Sequence, residues 1–420
     1  SAIGAIPFVV AIDASYLDAY FETMSGFTTT GITMFSGLDS MPKSILFWRS
    51  LTQWVGGLGI LTFFLAVTYR GGGAHRLFGA ESHKIGMPRP VPGLGHTLKI
   101  LWTIYGAYTL VIALGLFLAG MGAFDSICHS FTALSTGGFS PHDASIGYYK
   151  LAGYPNYILF EYIIIIGMLL GGINFLIHYR LAGRGPKALF ETTEMKYFWS
   201  IIVVFAFIIF IERLIRIDPA TGFADSYGGV LADVERNLRA VIFQVVSILT
   251  TTGFGTRDIG GKFFGVAARQ LFLILMVIGG CTGSTSGGLK VLRVAVLIRL
   301  VEREIYRVVR PRRALNKIII DGEVIPDSEI RRVAALFFSW ILLLCLGGFV
   351  TAMLSQHDAI SSFSGMFSAL GNIGPAYISV SEMAALNPII KVTYILGMLA
   401  GRLEILPVLL LFSRGAWLSW

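Results

Sequence analysis

Charge is scarce in this sequence. Asp, Glu, Lys and Arg supply 14% of its 420 residues against 55% hydrophobic ones, whereas a soluble domain carries about 25% charged residues. That shortage excludes an ordinary soluble protein. Cysteine is rarer still: Cys128, Cys281 and Cys345 lie in or beside apolar segments without paired spacing, which excludes a disulfide framework or zinc site and leaves packing roles. Also lacking is a basic stretch followed by an apolar one and a small-residue cleavage site, so no cleavable signal peptide is expected. The chain opens on Ser1, and Ser1 to Ile12 is too short to span a bilayer, so the first incoming helix is expected only as a remnant.

Apolar runs are abundant. Tyr157 to Phe175, Tyr197 to Ile211 and Val333 to Leu354 approach or reach the roughly 20 residues a spanning helix needs. The net charge of +8 gathers in the loops between such runs, a pattern that reports membrane orientation rather than nucleic-acid binding.

One short pattern occurs four times: Thr28-Thr29-Thr30-Gly31, Ser135-Thr136-Gly137-Gly138, Thr250-Thr251-Thr252-Gly253 and Gly371-Asn372-Ile373-Gly374. Each follows an apolar stretch too short to span (Tyr16 to Phe27, Phe124 to Leu134, Val234 to Leu249, Ala359 to Leu370), which suits a re-entrant pore helix. Spanning candidates flank each one, except before the first, where only the remnant ending near Ile12 stands. Outgoing helices are expected over Ser44 to Tyr69, Asn156 to Tyr179, Phe263 to Leu300 and Pro388 to Phe412; incoming ones over Leu98 to Gly120, Tyr197 to Ile217 and Arg331 to Leu354. The expected fold is therefore an all-α integral membrane protein of four pseudo-symmetric repeats, residues 1–75, 76–190, 191–320 and 321–420, around a central ion pore.

Linkers between repeats hold Arg70, Arg76, Lys84 and Arg89, then Arg180, Arg184, Lys187 and Lys196, then Arg299, Arg303, Arg307, Arg310, Arg312 and Arg313. Positive residues favour the cytoplasm, so the glycine loops are expected to open outside a plasma membrane, all in one orientation. That face also carries Asp13, Asp18, Asp39, Asp125, Asp143, Asp358 and Glu382, which would concentrate cations. Non-helical backbone at membrane depth survives only inside protein or beside a wet cavity, and rings of backbone carbonyls can replace the water shell of potassium. One Thr-x-Gly says little, because an isolated glycine usually just ends a helix. Four in equivalent places say much more.

On Phe21-Glu22-Thr23-Met24-Ser25-Gly26-Phe27-Thr28-Thr29-Thr30-Gly31, Trp48-Arg49-Ser50-Leu51-Thr52-Gln53-Trp54-Val55-Gly56-Gly57, Gly283-Ser284-Thr285-Ser286-Gly287-Gly288-Leu289-Lys290 and Gly401-Arg402-Leu403-Glu404-Ile405, the chain resembles the Trk/Ktr/HKT superfamily of cation transporters, nearest its bacterial TrkH type. The resemblance implies a selectivity filter at Thr29, Thr30, Gly31, Thr136, Gly137, Gly138, Thr251, Thr252, Gly253, Asn372, Ile373 and Gly374. Glycine at all four key positions implies potassium, where a serine at the first favours sodium in some plant relatives. Asn372-Ile373 replaces a threonine pair, so the fourth loop departs from the others. The family also implies a homodimer and a cytoplasmic ring of nucleotide-binding regulatory subunits that open a gate.

The third outgoing segment is interrupted by Gly279 to Gly288. Each glycine costs about 0.8 to 1.0 kcal/mol relative to alanine inside a helix, so a loop within the membrane is expected. A nucleotide-phosphate loop is excluded, because Leu289 separates Gly288 from Lys290 and no Ser or Thr follows. The resemblance implies a gate made by Gly283, Ser284, Thr285, Ser286 and Gly287, with Arg402 near it. A charge deep in a spanning helix faces a partner or cavity, so Arg402 reads as an ion pair, an electrostatic barrier, or both.

Nine residues before the filter glycines stand Glu22, His129, Gln244 and Gly365. Glu22 reads as either an ion ligand or a structural partner of Arg49; pore helices hold side chains behind the filter, which favours the second. The functional expectation is potassium uptake, with the potassium ion as transported substrate, no organic cofactor and no covalent chemistry. The alternative is an alternating-access symporter coupled to protons or sodium. The basic segment Arg299 to Arg332 reads as either a regulatory contact or a surface for membrane lipid.

Overall fold

The computed structural model describes residues 1–70, 94–216, 229–309, 317–403, 405 and 408. Arg76, Lys84, Arg89, Arg310, Arg312, Arg313, Glu404, the expected boundary after residue 75, and the end of the last expected helix lie outside these residues. The four pore helices are α1 (Tyr16–Phe27), α4 (Ala123–Leu134), α8 (Gly229–Leu249) and α12 (Ala359–Gly371). Their starts are set locally: Ser15 accepts the Asp18 amide and Asp358 accepts that of Ser361, each satisfying an orphan amide of the first turn. The third, α8, begins five residues earlier than its apolar stretch suggested.

The outgoing segments are α2 (Lys43–Arg70), α5 and α6 (Tyr157–Gly172 and Phe175–Arg184), α9 and α10 (Val266–Ile278 and Val291–Val309) and α13 (Pro388–Leu403). The incoming helices are α3 (Leu94–Leu118), α7 (Thr193–Ile215) and α11 (Asp327–Leu354), while the remnant before α1 is Ile6–Ile12. Long apolar α3, α7 and α11 can cross a bilayer by length and composition. They turn Leu110, Phe207 and Phe338 outward, each at least 60% exposed. Glu22, Arg49, Gln53 and Thr251 are buried within. Apolar outside and polar inside suits a lipid solvent, which offers no partners to exposed polar groups.

Closure is cyclic. Outgoing α2 packs on its own α1 and on the next repeat's α4; α5 packs on α4 and α8; α9 on α8 and α12; α13 on α12 and α1. Ion pairs follow two of the seams between repeats, Glu161–Arg239 between α5 and α8 at 2.6 Å, and Lys391–Asp18 between α13 and α1 at 2.6 Å. On the far side, a hairpin of β1 (Ile319–Ile320) and β2 (Glu323–Val324) packs Ile318, Ile320 and Ile325 against Leu292 and Val296 of α10.

Two segments differ from a simple helical reading. The second outgoing segment, expected as one helix, bends by 107° between α5 and α6. The third breaks where the glycine run predicted.

Candidate functional site

Each pore helix ends in the same way. The amides of Thr30, Gly137, Thr252 and Ile373 reach back five residues to Ser25, Thr132, Ser247 and Ser368 at 2.8 to 3.0 Å. The residue before each is left-handed: Thr29 at φ 51°, Thr136 at 53°, Thr251 at 56° and Asn372 at 54°. This is the Schellman ending, whose left-handed position usually takes Gly or Asn. Asn372 therefore keeps the backbone symmetry that its side chain seemed to break. The three β-branched threonines are the unusual occupants, since such a backbone costs a residue of this kind about 1 to 3 kcal/mol.

The four glycines close a ring. Gly31, Gly138, Gly253 and Gly374 all have positive φ, from 78° to 107°. A Cβ on Gly31 would strike the Gly137 carbonyl, on Gly138 that of Thr252, on Gly253 that of Ile373, and on Gly374 it would come 3.0 Å from that of Thr30. One carbonyl from each repeat thus abuts the glycine of its neighbour, in sequence order and back to the start. Four oxygens around one axis can take the place of water around a bare cation.

Buried polar groups brace this ring from behind. Glu22 takes Arg49 Nε at 2.8 Å, Thr33 Oγ1 at 2.9 Å and the Met34 amide at 2.9 Å, while Arg49 also donates to Ser140 O at 3.0 Å. The pair fixes the extended strands after the first two loops, and of the two readings of Glu22 the geometry supports the structural one. His129 lies 3.2 Å from Ser140 Oγ, Gly365 makes room for the Tyr394 hydroxyl, and the Gln244 amide has no hydrogen-bond partner among the described residues. The outer acids are equally engaged: Asp143 caps Gly37 and Leu38, Asp39 and Asp125 hold His142, and Asp18 holds Lys391.

Directly against the ring sits the loop from Gly279 to Lys290. Thr285 Oγ1 donates to Leu134 O at 2.9 Å and Gly171 O at 3.0 Å, and Thr136 Oγ1 to Thr285 Oγ1 at 3.2 Å. The Gly287 amide donates to Thr251 Oγ1 at 2.7 Å, so two of the strained threonines hold this loop. Arg402 Nη1 donates to Thr285 O at 2.6 Å, bringing together every residue the sequence singled out for a gate. Gly283 O accepts the Phe175 amide at 3.1 Å and Ser284 lies 2.5 Å from Ser286.

Several participants escaped sequence reasoning. The loop fits into the break between α5 and α6, where Gly171 and Gly172 carbonyls accept the Thr285 and Cys281 amides at 3.1 and 3.0 Å. A glycine doublet recurring in the outgoing segments, Gly56-Gly57, Gly171-Gly172 and Gly279-Gly280, was the available signal. Gln53 of α2 grips the ring itself, donating to Gly137 O at 2.7 Å and accepting the Phe139 amide at 3.0 Å. Lys290, dismissed with the phosphate loop, is buried and donates to Ser286 O at 2.5 Å.

Comparison with known proteins came out as follows. A family model described as TrkH, cation transport protein, matches residues 10–416. The Trk system potassium uptake protein TrkH of Escherichia coli K12 is 36% identical, the match covering 99% of this chain and 83% of that one. An uncharacterised cation transporter of Methanocaldococcus jannaschii is 35% identical over 98% of this chain and 79% of its own length. The crystal structure of the potassium transporter TrkH from Vibrio parahaemolyticus superposes with a TM-score of 0.84 at 33% identity, covering 99% of this chain and 82% of that one.

Proposed function

The chain belongs to the TrkH family of cation transport proteins, and from that membership we propose that it takes up potassium across the plasma membrane through the ring of four loops. The observation that carries this reading is the closed succession in which the Thr30, Gly137, Thr252 and Ile373 carbonyls each abut the preceding repeat's glycine, Gly374, Gly31, Gly138 and Gly253 in turn. Potassium, the substrate, sheds water and is held by these oxygens. Thr29, Thr136, Thr251 and Asn372 shape the turn beneath them, and Gly31, Gly138, Gly253 and Gly374 let the loops approach.

Below the ring, Gly283 to Gly287 and Arg402 form the gate. Arg402 places a fixed positive charge beside the path, and a cation approaching it is repelled more strongly than in bulk water because the local dielectric is low. The ring faces outside and the basic segments face the cytoplasm, where Arg299, Arg303 and Arg307 of α10 meet either membrane lipid or a nucleotide-binding regulatory ring. The working assembly is a homodimer, and the reaction involves no covalent step.

Broken helices also occur in alternating-access symporters. Against that reading, the ring closes by rotation from repeat to repeat, whereas such carriers commonly use inverted repeats. Flux of potassium, rubidium, sodium and lithium into liposomes bearing the purified protein tests the proposal. Selective potassium flux independent of proton and sodium gradients supports it; saturating flux coupled to either gradient overturns it in favour of the symporter.

A further inference from the structure

The gate loop has a second anchor on the side away from the ring. Glu194, in the first turn of α7, is 4% exposed and accepts the Thr282 amide at 2.6 Å, at the start of the loop. Lys290, at the loop's other end, adds a nearby positive charge. Met195, the next residue, meets Cys281 with their sulfurs 4.0 Å apart. The preceding residue, Thr193, donates both its amide and its hydroxyl to Asp321 at 2.7 Å, in the turn between β1 and β2.

Three successive residues thus join the hairpin to the loop. The hairpin in turn shares an apolar cluster with the start of α10. We propose that Glu194 is a positioning residue for the gate: its carboxylate clasps the start of the loop at Thr282, and the Asp321–Thr193 link delivers displacement of the hairpin and α10 to it. This rests on the reading of the loop as the gate. A buried acceptor is needed here because the Thr282 amide, inside the protein, has no water to turn to. Loss of the clasp frees the loop without touching the carbonyl ring.

The test is potassium flux into liposomes by purified protein without partner subunits, for Glu194→Ala, Glu194→Gln, Asp321→Ala and Arg402→Ala. Glu194→Ala is expected to raise flux about tenfold, the scale of one lost charged hydrogen bond, with the potassium-to-sodium ratio unchanged. Glu194→Gln keeps an acceptor oxygen and is expected to recover most of the parent's closure. Asp321→Ala removes an exposed side chain, leaves the core intact, and is expected to raise flux less. Flux at or below the parent's in Glu194→Ala, while Arg402→Ala conducts faster, overturns the clasp and spares the gate. Unchanged flux in Arg402→Ala as well overturns the gate reading itself. Should Glu194→Ala fail to fold, Asp321→Ala decides, and parental flux there overturns the link. Equal flux in the Gln and Ala variants also contradicts the clasp.

Discussion

Each candidate filter loop is fastened to the end of its own pore helix, as Thr30 is to Ser25, whereas the loop from Gly279 to Lys290 is fastened largely to other repeats, through Leu134, Gly171, Gly172 and Arg402. The first kind of fastening is short-range and fourfold repeated, so any one loop is held by its neighbours in the ring as well as by itself. The second consists of a few long-range bonds around glycines. Releasing several of them moves the loop and leaves the ring standing. Selectivity and gating are in this account separate properties of two adjoining pieces of backbone.

The comparison breaks most severely if the ring loses its brace. Glu22→Gln and Arg49→Gln each strand one member of a buried ion pair, which costs about 3 to 5 kcal/mol, so folded yield by size exclusion is expected to drop sharply. A folded Glu22→Gln protein with altered cation affinity would make Glu22 an ion ligand instead. Next in size is Gly31→Ser, whose Cβ meets the Gly137 carbonyl. Potassium preference over sodium in reconstituted flux is expected to fall roughly tenfold, or about 1.4 kcal/mol. Unchanged preference would remove Gly31 from the filter.

A smaller change sharpens the contrast from the other side. Thr251→Val keeps the shape of the turn residue but removes the acceptor of the Gly287 amide, stranding a donor at about 1 to 3 kcal/mol. Flux is expected to rise several-fold. Flux equal to the parent's would show that this bond does not hold the loop.

The smallest effect concerns the outer rim, where His142 stacks on Tyr148 with centroids 3.6 Å apart and bridges Asp39 and Asp125. Burial alone would lower the imidazole, but hydrogen bonds to Asp125 and Asp39 outweigh it and raise it above the ordinary histidine value. Stability from this bridge is therefore complete below about pH 6.5 and fades as pH rises through the raised value. Thermal unfolding of His142→Asn is expected to approach that of the parent between about pH 6 and about pH 9. A constant difference would mean the ring stays neutral.

The same contrast explains what could be read from the sequence. The loops after the pore helices were legible because local chemistry is written four times, and even Asn372 fits once its left-handed backbone is known. Glu22 and Arg49 were legible as a buried opposite pair on neighbouring apolar helices. The bend after Gly172 was hidden because Tyr162 to Ile173 is an apolar run with no proline to break it, and the loop packed into the bend lies a hundred residues away. Gln53 and Glu194 were hidden for a related reason: each acts through backbone groups, and backbone leaves no trace in side-chain spacing.

One experiment tests the separation directly: potassium and sodium flux into the same liposomes for the parent, Gly31→Ser, and Arg402→Ala with and without shortening of Gly283 to Gly287. The account predicts that Gly31→Ser changes the ratio of the two ions, that Arg402→Ala and the shortened loop raise both fluxes at constant ratio, and that combining the last two gives less than their sum in free energy because both act on one constriction. An Arg402→Ala protein that conducts no faster, or that shifts the ratio as Gly31→Ser does, would contradict it.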